Sequence, residues 1–337
     1  MKTILITGGA GFIGSHLCRL YLNKGYRVVC IDNLLSGSYD NIKDLEANPN
    51  FQFINHDITH RLSRSQITPK GSLPPKAGFR TDHRLHAIFH FASPASPDPK
   101  SPISYMSHPI KTLMVNSLGT KHMLDLARQH DAQIILASTS EVYGDPQIHP
   151  QPETYYGNVS PNGPRSCYDE GKRFLEAISF TYYRKFQTKI KIVRIFNTYG
   201  SYMSLRDGRF IPNLIKSYLE GRPFYKYSND TTTRSFTYID DLVRGIDLVF
   251  QSDKMVGEVV NLGNPEELSL NEAIDIFNSL VNKTVKVIQK PKRKDDPTRR
   301  KPDITKAHQL LSWEPQVKFK EGIQKTLTWF QDRLSAK

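Results

Sequence analysis

Apolar residues in the first half of the chain form short, nearly continuous runs, separated by stretches in which apolar positions recur roughly every three or four residues. Continuous runs are typical of strands in a parallel sheet that is covered on both faces, and the longer period is typical of helices. The predicted strands are 2–7, 27–32, 51–55, 87–91, 133–139 and 189–195, and the predicted helices are 12–23, 109–129 and 166–186. This alternation predicts an α/β fold with a doubly wound parallel sheet.

The pattern becomes less regular after Phe196. Helices are predicted at 210–220, 239–251, 270–281 and 320–334, and short strands at 259–262 and 285–288. We therefore predict two units. Residues 1–196 form the sheet domain, with part of 236–262 packing back on it, and residues 197–337 mainly form a smaller α/β lobe.

Composition and cysteine usage favour a soluble intracellular protein. The 337 residues are 38% hydrophobic and contain no apolar run of the length that a membrane span needs. The first predicted strand begins almost at Met1, which leaves no room for a secretion signal. Cys18, Cys30 and Cys167 are odd in number and scattered, without metal-ligand spacing. We expect a cytoplasmic protein with reduced thiols, no membrane association and no metal site.

The formal net charge is +13, and much of it lies in the segments 61–84 and 290–301. Basic charge attracts anions, so phosphate-bearing small ligands are favoured partners beside the simple alternative of a solvated surface. Nucleic acid is disfavoured because basic motifs interleaved with aromatic residues are missing. Segment 61–84 is rich in Pro, Ser and Gly and is predicted to be a long loop, whose role stays open.

Directly after the first strand, residues 8–14 read Gly-Gly-Ala-Gly-Phe-Ile-Gly and match G-x-G-x-x-G from Gly9. Such glycines allow a tight turn and close approach of the backbone to a pyrophosphate, which the start of the next helix attracts. The strand, the turn and the helix follow in the order that a Rossmann-like dinucleotide site requires. The predicted cofactor contacts in this turn are Gly8, Gly11, Phe12, Ile13 and Gly14.

Asp32 lies at the end of the second strand, 18 residues after Gly14. A carboxylate there accepts hydrogen bonds from a ribose diol and repels a 2′-phosphate, and Asn33 adds no compensating charge. The predicted cofactor is therefore NAD rather than NADP, bound by domain 1–196. Asp57, after the third strand, either reaches the adenine or forms an Asx turn or helix cap.

Tyr168 and Lys172 are four residues apart near the start of a predicted helix, so their side chains share one face. A neighbouring ammonium favours the phenolate, which can then take a proton from a sugar hydroxyl while hydride leaves the same carbon. Lys172 can also hold the nicotinamide ribose. Thr139, at the carboxyl end of its strand, is the predicted donor that orients the reacting oxygen.

Glu141 follows Thr139 by two residues, at the same edge of the sheet. A carboxylate that faces a covered site is positioned for a second acid/base step. The alternative is an ordinary carboxylate at a helix start or in a loop.

Longer motifs over nearly the whole chain resemble the extended short-chain dehydrogenase/reductase family, and within it the UDP-glucuronate decarboxylases. They are ASPASP at 92–97, PIKTL at 109–113, LASTSEVYGDP at 136–146, YDEGKR at 168–173, RIFNT at 194–198, DGR at 207–209, NLGNPEE at 261–267 and RKPD at 300–303. The triplet Thr139-Ser140-Glu141 indicates the subgroup. The 4,6-dehydratases typically have Asp-Glu in place of Ser140-Glu141, and the 4-epimerases typically lack the glutamate.

The resemblance implies a carboxy-lyase with tightly bound NAD that converts UDP-glucuronate to UDP-xylose through a 4-keto intermediate. Tyr168 oxidises the C4 hydroxyl, the resulting β-keto acid loses CO₂, and Glu141 and Arg300 serve this stage. Thr112 is implied as a further cofactor contact. The residues implied to contact the substrate are Lys111, Ser140, Asn197, Arg209 and Arg234. The resemblance also implies a homodimer through the helices 109–129 and 166–186.

Four segments depart from the pattern of the resembled family. Segments 61–84 and 98–104 resemble insertions, and the second lies next to the substrate mouth. Ser201-Tyr202 replaces Pro-Arg, and residues 227–230 replace a glycine-rich turn; both changes are expected on the UDP side.

These departures leave several functional alternatives open. The substrate could be a different acidic sugar nucleotide. The alternatives are a related 4,6-dehydratase or 4-epimerase, a decarboxylase that releases the keto sugar, and a nucleic-acid-binding protein derived from such an enzyme.

Overall fold

The computed structural model describes residues 1–67, 84–228, 231–292 and 296–335. Its strands are β1 Thr3–Thr7, β2 Arg27–Asp32, β3 Phe51–Asn55, β4 Leu85–His90, β5 Gln133–Thr139, β6 Ile190–Ile195, β7 Thr198–Tyr199, β8 Phe224–Tyr227, β9 Thr233–Ser235, β10 Thr237–Tyr238, β11 Glu258–Leu262, β12 Glu267–Ser269 and β13 Val287–Lys290. Its helices are α1 Phe12–Asn23, α2 Arg64–Ile67, α3 Pro109–Met114, α4 Thr120–His130, α5 Ser166–Phe186, α6 Phe210–Leu219, α7 Ile239–Gln251, α8 Leu270–Asn278, α9 Thr305–Leu311 and α10 Phe319–Ser335.

The central sheet has seven strands in the order β3-β2-β1-β4-β5-β6-β11. Every neighbouring pair in it is parallel. The strand order changes direction between β1 and β4, and ligands of open α/β sheets bind in the crevice at the carboxyl ends of such strands. The predicted doubly wound parallel sheet is confirmed.

The two faces of the sheet carry separate apolar clusters, because neighbouring residues of a strand point to opposite sides. In β1, Ile4 and Ile6 pack on one face with α1 and α7. Leu5 packs on the other face with side chains of α4 and α5. Burial on both sides explains why the strands appear in the sequence as continuous apolar runs.

The segment after β6 contributes to both units. Strand β11 pairs with β6 at the edge of the sheet, and α7 packs in the same cluster as α1. The apolar side chains of α6, α8, α9 and α10 continue this cluster, so the smaller lobe shares its core with one face of the sheet. The strand pairs β8–β13 and β9–β12 lie in this lobe.

The largest difference from the predicted elements is in 109–129, which was expected to be one helix. The structure has α3 and α4, joined by a wider π-helical turn over Val115–Gly119. In that turn the side-chain amide of Asn116 donates to the Thr112 carbonyl oxygen and to Ser93 Oγ, at 2.9 and 3.0 Å. Turns of this type occur often at functional sites.

Other differences are smaller. Helix α8 ends at Asn278 rather than 281, and β13 begins two residues later than predicted. Strands β7, β8, β9, β10 and β12 were not predicted, since two to four residues are too short for a periodic pattern. The short helices α2, which lies in the predicted loop 61–84, and α9 were not predicted either. Most of the predicted loop 61–84 lies outside the described residues. Among the residues that are described, the structure contains no helix with the length and apolarity needed to cross a bilayer.

Candidate active site

A cavity of about 1190 Å³ opens at the carboxyl ends of the sheet strands, between the sheet and the C-terminal lobe. It is lined by residues from both units. The predicted site residues that line it are Gly8, Gly11, Phe12, Ile13, Gly14, Asp32, Asn33, Asp57, Lys111, Thr139, Ser140, Glu141, Tyr168, Lys172, Asn197, Arg209, Arg234 and Arg300. Thr112 lies outside this lining, buried in α3 with its hydroxyl donating to the His108 carbonyl oxygen at 2.9 Å. Its predicted contact with the cofactor has no support from this position.

The glycine-rich turn connects β1 to α1 with very little space around its backbone. Gly8 has φ 71°, a conformation that suits glycine. A Cβ on Gly14 would lie 2.1 Å from the Gly8 carbonyl oxygen, so no side chain fits there without a shift of the backbone. Gly11 precedes the first residue of α1, where free N–H groups and the helix dipole favour an anion.

Asp32 holds this turn from the end of β2. Its carboxylate accepts hydrogen bonds from the backbone N–H groups of Ala10 and Leu34, at 3.0 and 2.8 Å. Burial raises the pKa of Asp32, and these bonds lower it again in part. Asp57 accepts from the Thr59 N–H at 2.9 Å, the Asx-turn alternative, and also from the Asn33 side-chain amide at 3.0 Å.

We predict that Asp32→Asn weakens NAD binding and reduces discrimination against NADP. The substitution keeps the shape and one acceptor oxygen but removes the charge that repels a 2′-phosphate. NAD affinity should fall about 10-fold, equivalent to about 1.4 kcal/mol. Calorimetric titration of nucleotide-free protein with NAD and with NADP measures both constants. An unchanged NAD to NADP ratio would contradict the predicted role.

Tyr168 lies on the first turn of α5, buried against the flat face of Tyr105 with ring centroids 4.8 Å apart. Burial raises the pKa of Tyr168 to about 12, while the hydrogen bond with Thr139 and the charge of Arg209 act in the opposite direction. Lys172 lies one turn further on, with Nζ 5.9 Å from the centroid of the Tyr168 ring. The predicted lowering of the pKa of Tyr168 by Lys172 is not found, because burial is the largest influence on this phenol and raises its pKa.

The Lys172 ammonium is itself buried and donates to the Ala137 carbonyl oxygen at 2.7 Å. Burial lowers the pKa of Lys172 to about 7, and the charge of Glu176 opposes this only in part. The carboxyl end of β5 thus holds Lys172 at the cavity wall. The Lys172 amine gains or loses its proton near neutral pH.

This titration predicts a pH-dependent stability difference between the native chain and Lys172→Met. Between pH 7 and 9 the unfolded chain keeps a proton on Lys172 that the folded protein has released, so stability gained from this group rises with pH. The native chain should therefore gain about 2 kcal/mol relative to the variant over this range. Urea unfolding at the two pH values measures the difference. A constant difference would place the pKa of Lys172 outside the range.

Glu141 lies in the turn that follows β5, within an array of arginines. Arg300 donates from Nη1 to Glu141 Oε1 at 2.9 Å and to Ser140 Oγ at 2.8 Å. Arg165 donates to Glu141 Oε2. Burial alone would raise the pKa of Glu141, but Arg165, Arg300 and Arg234 outweigh it and lower the pKa to about 2. The carboxylate is ionised at neutral pH, which favours an orienting or electrostatic role over proton donation.

Sequence reasoning did not identify Arg165 and Asp296, which both line the cavity. Arg165 donates to Asp296 at 3.2 Å, and Arg234 donates to the other oxygen of the same carboxylate at 3.0 Å. Arg165 lies three residues before Tyr168, and Asp296 four residues before Arg300. Proximity to predicted catalytic residues was the available signal for both.

At the far side of the cavity, Arg209 forms a bidentate pair with Asp207, with both N···O distances 2.6 Å. Asn197 and the exposed Lys111 also line the wall. The guanidinium groups are spread along the cavity, an arrangement suited to a ligand with several anionic groups. Tyr105 lines the same space and was also not predicted.

Three of the departures from the family pattern can be placed, the third only in part. Segment 98–104 borders the cavity through Pro99 and Ile103, as expected for its position near the mouth. Tyr202 lines the cavity and packs under the Arg19 guanidinium, 4.2 Å from the ring centroid, beside α1. The expectation that Ser201-Tyr202 lies on the UDP side stays a prediction. In segment 227–230, Tyr227 lines the cavity and residues 229 and 230 lie outside the described residues.

A glycine turn on a parallel sheet, a buried Tyr-x-x-x-Lys pair and a strand-end threonine together define an extended short-chain dehydrogenase/reductase. The model of the GDP-mannose 4,6 dehydratase family matches residues 5–326, and the chain belongs to this family.

The chain aligns with named relatives and with a solved structure over most of its length. It is 42% identical over 333 residues to UDP-glucuronic acid decarboxylase 1 of Danio rerio, covering 99% of this chain and 73% of the relative. It is 44% identical over 321 residues to UDP-glucuronic acid decarboxylase 5 of Arabidopsis thaliana, covering 95% and 86%. The structure is similar to UDP-glucuronic acid 4-epimerase of Bacillus cereus in complex with UDP-glucuronic acid and NAD, with TM-score 0.82, 28% identity and coverage of 98% and 99%.

Proposed function

We propose that this chain is a carboxy-lyase that uses bound NAD to convert UDP-glucuronate to UDP-xylose. The observation that carries the proposal is the ion pair between Glu141 and the buried Arg300, which line the same cavity as Tyr168. Oxidation of an alcohol needs only the tyrosine. Removal of a carboxylate also needs charged groups fixed beside the sugar, where they stabilise the charge that develops during the reaction. The names of the relatives, UDP-glucuronic acid decarboxylases, support the same assignment.

The described residues fit NAD. The turn at Gly8 and Gly14 leaves no room for a Cβ, and Gly11 is the N-cap residue of α1. Asp32 lines the cavity and keeps lone pairs on its oxygens for a ribose diol. When bound, NAD supplies the hydride acceptor and later the hydride donor for the sugar carbon.

Oxidation of the sugar depends on Tyr168, whose phenolate takes the proton of the C4 hydroxyl. The positive charge of NAD⁺, when bound in this cavity, would favour the phenolate against the burial that raises the pKa of Tyr168. Thr139 hydrogen-bonds to Tyr168 and lies at the carboxyl end of β5, where it can orient the reacting oxygen. The ketone formed at C4 is β to the C6 carboxylate. Loss of CO₂ then leaves an enolate that the ketone delocalises, and C5 takes up a proton before the ketone is reduced.

Arg300 and Glu141 act at the carboxylate end of the sugar in this proposal. The Arg300 guanidinium presents positive charge at the cavity wall, and Glu141 holds it through a charge-assisted hydrogen bond of 2.9 Å. Arg209, Arg234 and Asn197 line the remaining wall and are assigned to the UDP group. Lys111 and Ser140 are assigned to the sugar.

The alternatives have less support. A 4,6-dehydratase or a 4-epimerase removes no carboxylate, and the named relatives are decarboxylases. A nucleic-acid partner would not need a cavity of about 1190 Å³ lined by a buried catalytic pair. A decarboxylase that releases the 4-keto pentose differs only in the last step. Product analysis separates it from the main proposal.

The test is incubation of the purified protein with UDP-glucuronate, with and without added NAD, while CO₂ and the mass of the nucleotide sugar are followed. Loss of CO₂ with formation of UDP-pentose is the expected result. A product lighter by two further hydrogens would indicate release before reduction. Intact substrate, with NAD binding established separately, would overturn the proposal.

We also propose that two copies associate through α3 and α5. These helices pack together. They expose five large apolar side chains, those of Ile110, Leu113, Met114, Phe174 and Phe186. A second copy would cover these side chains, and the resemblance implies a homodimer through 109–129 and 166–186, which contain both helices. The cytoplasmic location stays a prediction, which fractionation of the source cells would test.

Phe174→Glu is expected to convert a dimer into a monomer of 38.5 kDa, because it buries a charge in the covered face. Light scattering after size exclusion measures the mass. The matched control is Ile148→Glu, an equally exposed apolar residue in a loop outside α3 and α5. A native chain that already has the monomer mass would contradict the proposal.

A further inference from the structure

Arg165 immediately precedes α5 and contacts acidic groups from three parts of the chain. One terminal nitrogen, Nη2, donates to Glu141 in the turn after β5, and the other, Nη1, donates to Asp296 at 3.2 Å. Its Nε lies 3.8 Å from Asp169, one turn along α5. The side chain is 8% exposed and lines the cavity. The two donor nitrogens therefore connect the sheet edge to the segment that leads into Arg300.

These contacts form one alternating chain of charges: Arg300, Glu141, Arg165, Asp296 and Arg234. Glu141 Oε1 accepts from Arg300 at 2.9 Å, and its Oε2 accepts from Arg165 and, at 3.3 Å, from the second terminal nitrogen of Arg300. Asp296 divides its two oxygens between Arg165 at 3.2 Å and Arg234 at 3.0 Å. Arg165 is the central member, and each carboxylate beside it has one other arginine.

We infer that Arg165 is a positioning residue, which fixes the Glu141 carboxylate against Arg300 and links it to Asp296. The inference rests on the proposed function. A planar guanidinium can bind two carboxylates at once in a fixed geometry, whereas a lysine ammonium is a single charged point on a flexible stem. Without this bridge, Glu141 would keep both of its bonds to Arg300, but Oε2 would lose the charge-assisted bond to Arg165 and the carboxylate would lose its link to Asp296.

Because the Arg165 side chain does not position Tyr168, substitution of Arg165 should affect the decarboxylation stage rather than the oxidation at C4. Arg165 contacts Glu141 and Asp296, while Tyr168 is oriented by Thr139 and Tyr105. Loss of the bridge should therefore slow CO₂ release more than oxidation at C4. The oxidised uronate, with its carboxylate still present, should accumulate.

The experiment compares Arg165→Lys, Arg165→Met and Asp296→Asn with the native chain. For Arg165→Lys, kcat for CO₂ release should fall about 10- to 100-fold, with KM for UDP-glucuronate within about 3-fold. A species with the substrate mass less two hydrogens should appear in single-turnover samples. Asp296→Asn should change kcat in the same direction by a smaller factor, because Glu141 keeps Arg165. The matched control is Arg244→Lys, which alters an arginine–aspartate pair outside the cavity lining.

A pH profile gives a second readout. The groups that face Glu141 are the cations of Arg165, Arg300 and Arg234, together with Asp169, Tyr168 and Tyr105. Loss of one of three cations raises the pKa of Glu141, so the acid limb of kcat should lie at higher pH in Arg165→Met than in the native chain. Arg165→Lys should restore the limb toward its native position.

The outcomes separate the inference from the proposed function. If the native chain releases no CO₂ from UDP-glucuronate, the proposed function fails. If the native chain is active and Arg165→Lys and Asp296→Asn both keep kcat within 2-fold, the inference is wrong. Equal loss of C4 oxidation and CO₂ release in a folded Arg165→Lys protein would show a general structural role and also overturn it. Should Arg165→Met fail to fold, the other two variants decide.

Discussion

Tyr168→Phe should lower kcat for CO₂ release by about 10³-fold, within the range that general acid–base catalysis contributes. The substitution removes only the phenolic oxygen and keeps the ring that packs against Tyr105. Without that oxygen nothing in this position can take the C4 proton, so both oxidation and the steps after it stop. Carbon dioxide release at saturating UDP-glucuronate measures the effect. NAD affinity should stay within about 3-fold, because the glycine turn and Asp32 are unchanged.

Tyr182→Phe is the matched control for this substitution. Tyr182 lies on the same helix, where its hydroxyl donates to Asp125 at 2.7 Å, outside the cavity lining. Its loss should affect stability slightly and kcat by less than about 2-fold. Retention of a tenth or more of native activity in Tyr168→Phe would mean that another group takes the proton, and the assignment of Tyr168 would then be wrong.

The sheet and its main helices were predictable because their signals are local. Strands β2, β3 and β5, and helices α1, α5 and α7, have the predicted bounds, since burial on both faces produces continuous apolar runs and one-sided burial produces a helical period. The split of 109–129 was not predictable in this way. The wider turn contains Asn116, whose side chain donates to Ser93 on another segment, a contact that the local pattern does not reveal.

The predicted site residues were found by motif, and nearly all of them line one cavity. The interactions among them could not be read from the sequence. Arg165 and Asp296 are separated by 131 positions and meet only because the C-terminal segment folds over the end of the sheet. The protonation states of the site residues could not be read from the sequence either. Spacing placed Lys172 near Tyr168, but burial decides the pKa of both groups, and burial is a property of the fold.

Glu141→Gln should lower kcat for CO₂ release by about 10²-fold or more, while C4 oxidation is reduced much less. Glutamine has the same shape, but it carries no charge and its amide N–H groups would face the donors of Arg300 and Arg165. The two arginines would lose their shared anion at the reacting end of the cavity. Rapid-quench samples analysed by mass should show the oxidised uronate ahead of any loss of CO₂.

The stability of Glu141→Gln provides an independent check, because the pKa of Glu141 is lowered from 4.5 to about 2 in the folded protein. A depressed carboxyl pKa contributes stability above pH 4.5 that is lost as pH falls toward 2. The variant should therefore be about 3 kcal/mol less stable at pH 7, and this difference should shrink as the pH falls below 4.5. The control is Glu258→Gln, which removes a surface pair with Lys306 and should change stability by less than about 1 kcal/mol. Native CO₂ release in Glu141→Gln would remove this residue from the chemistry, and an unchanged stability difference down to pH 3 would contradict its pairing with Arg165 and Arg300.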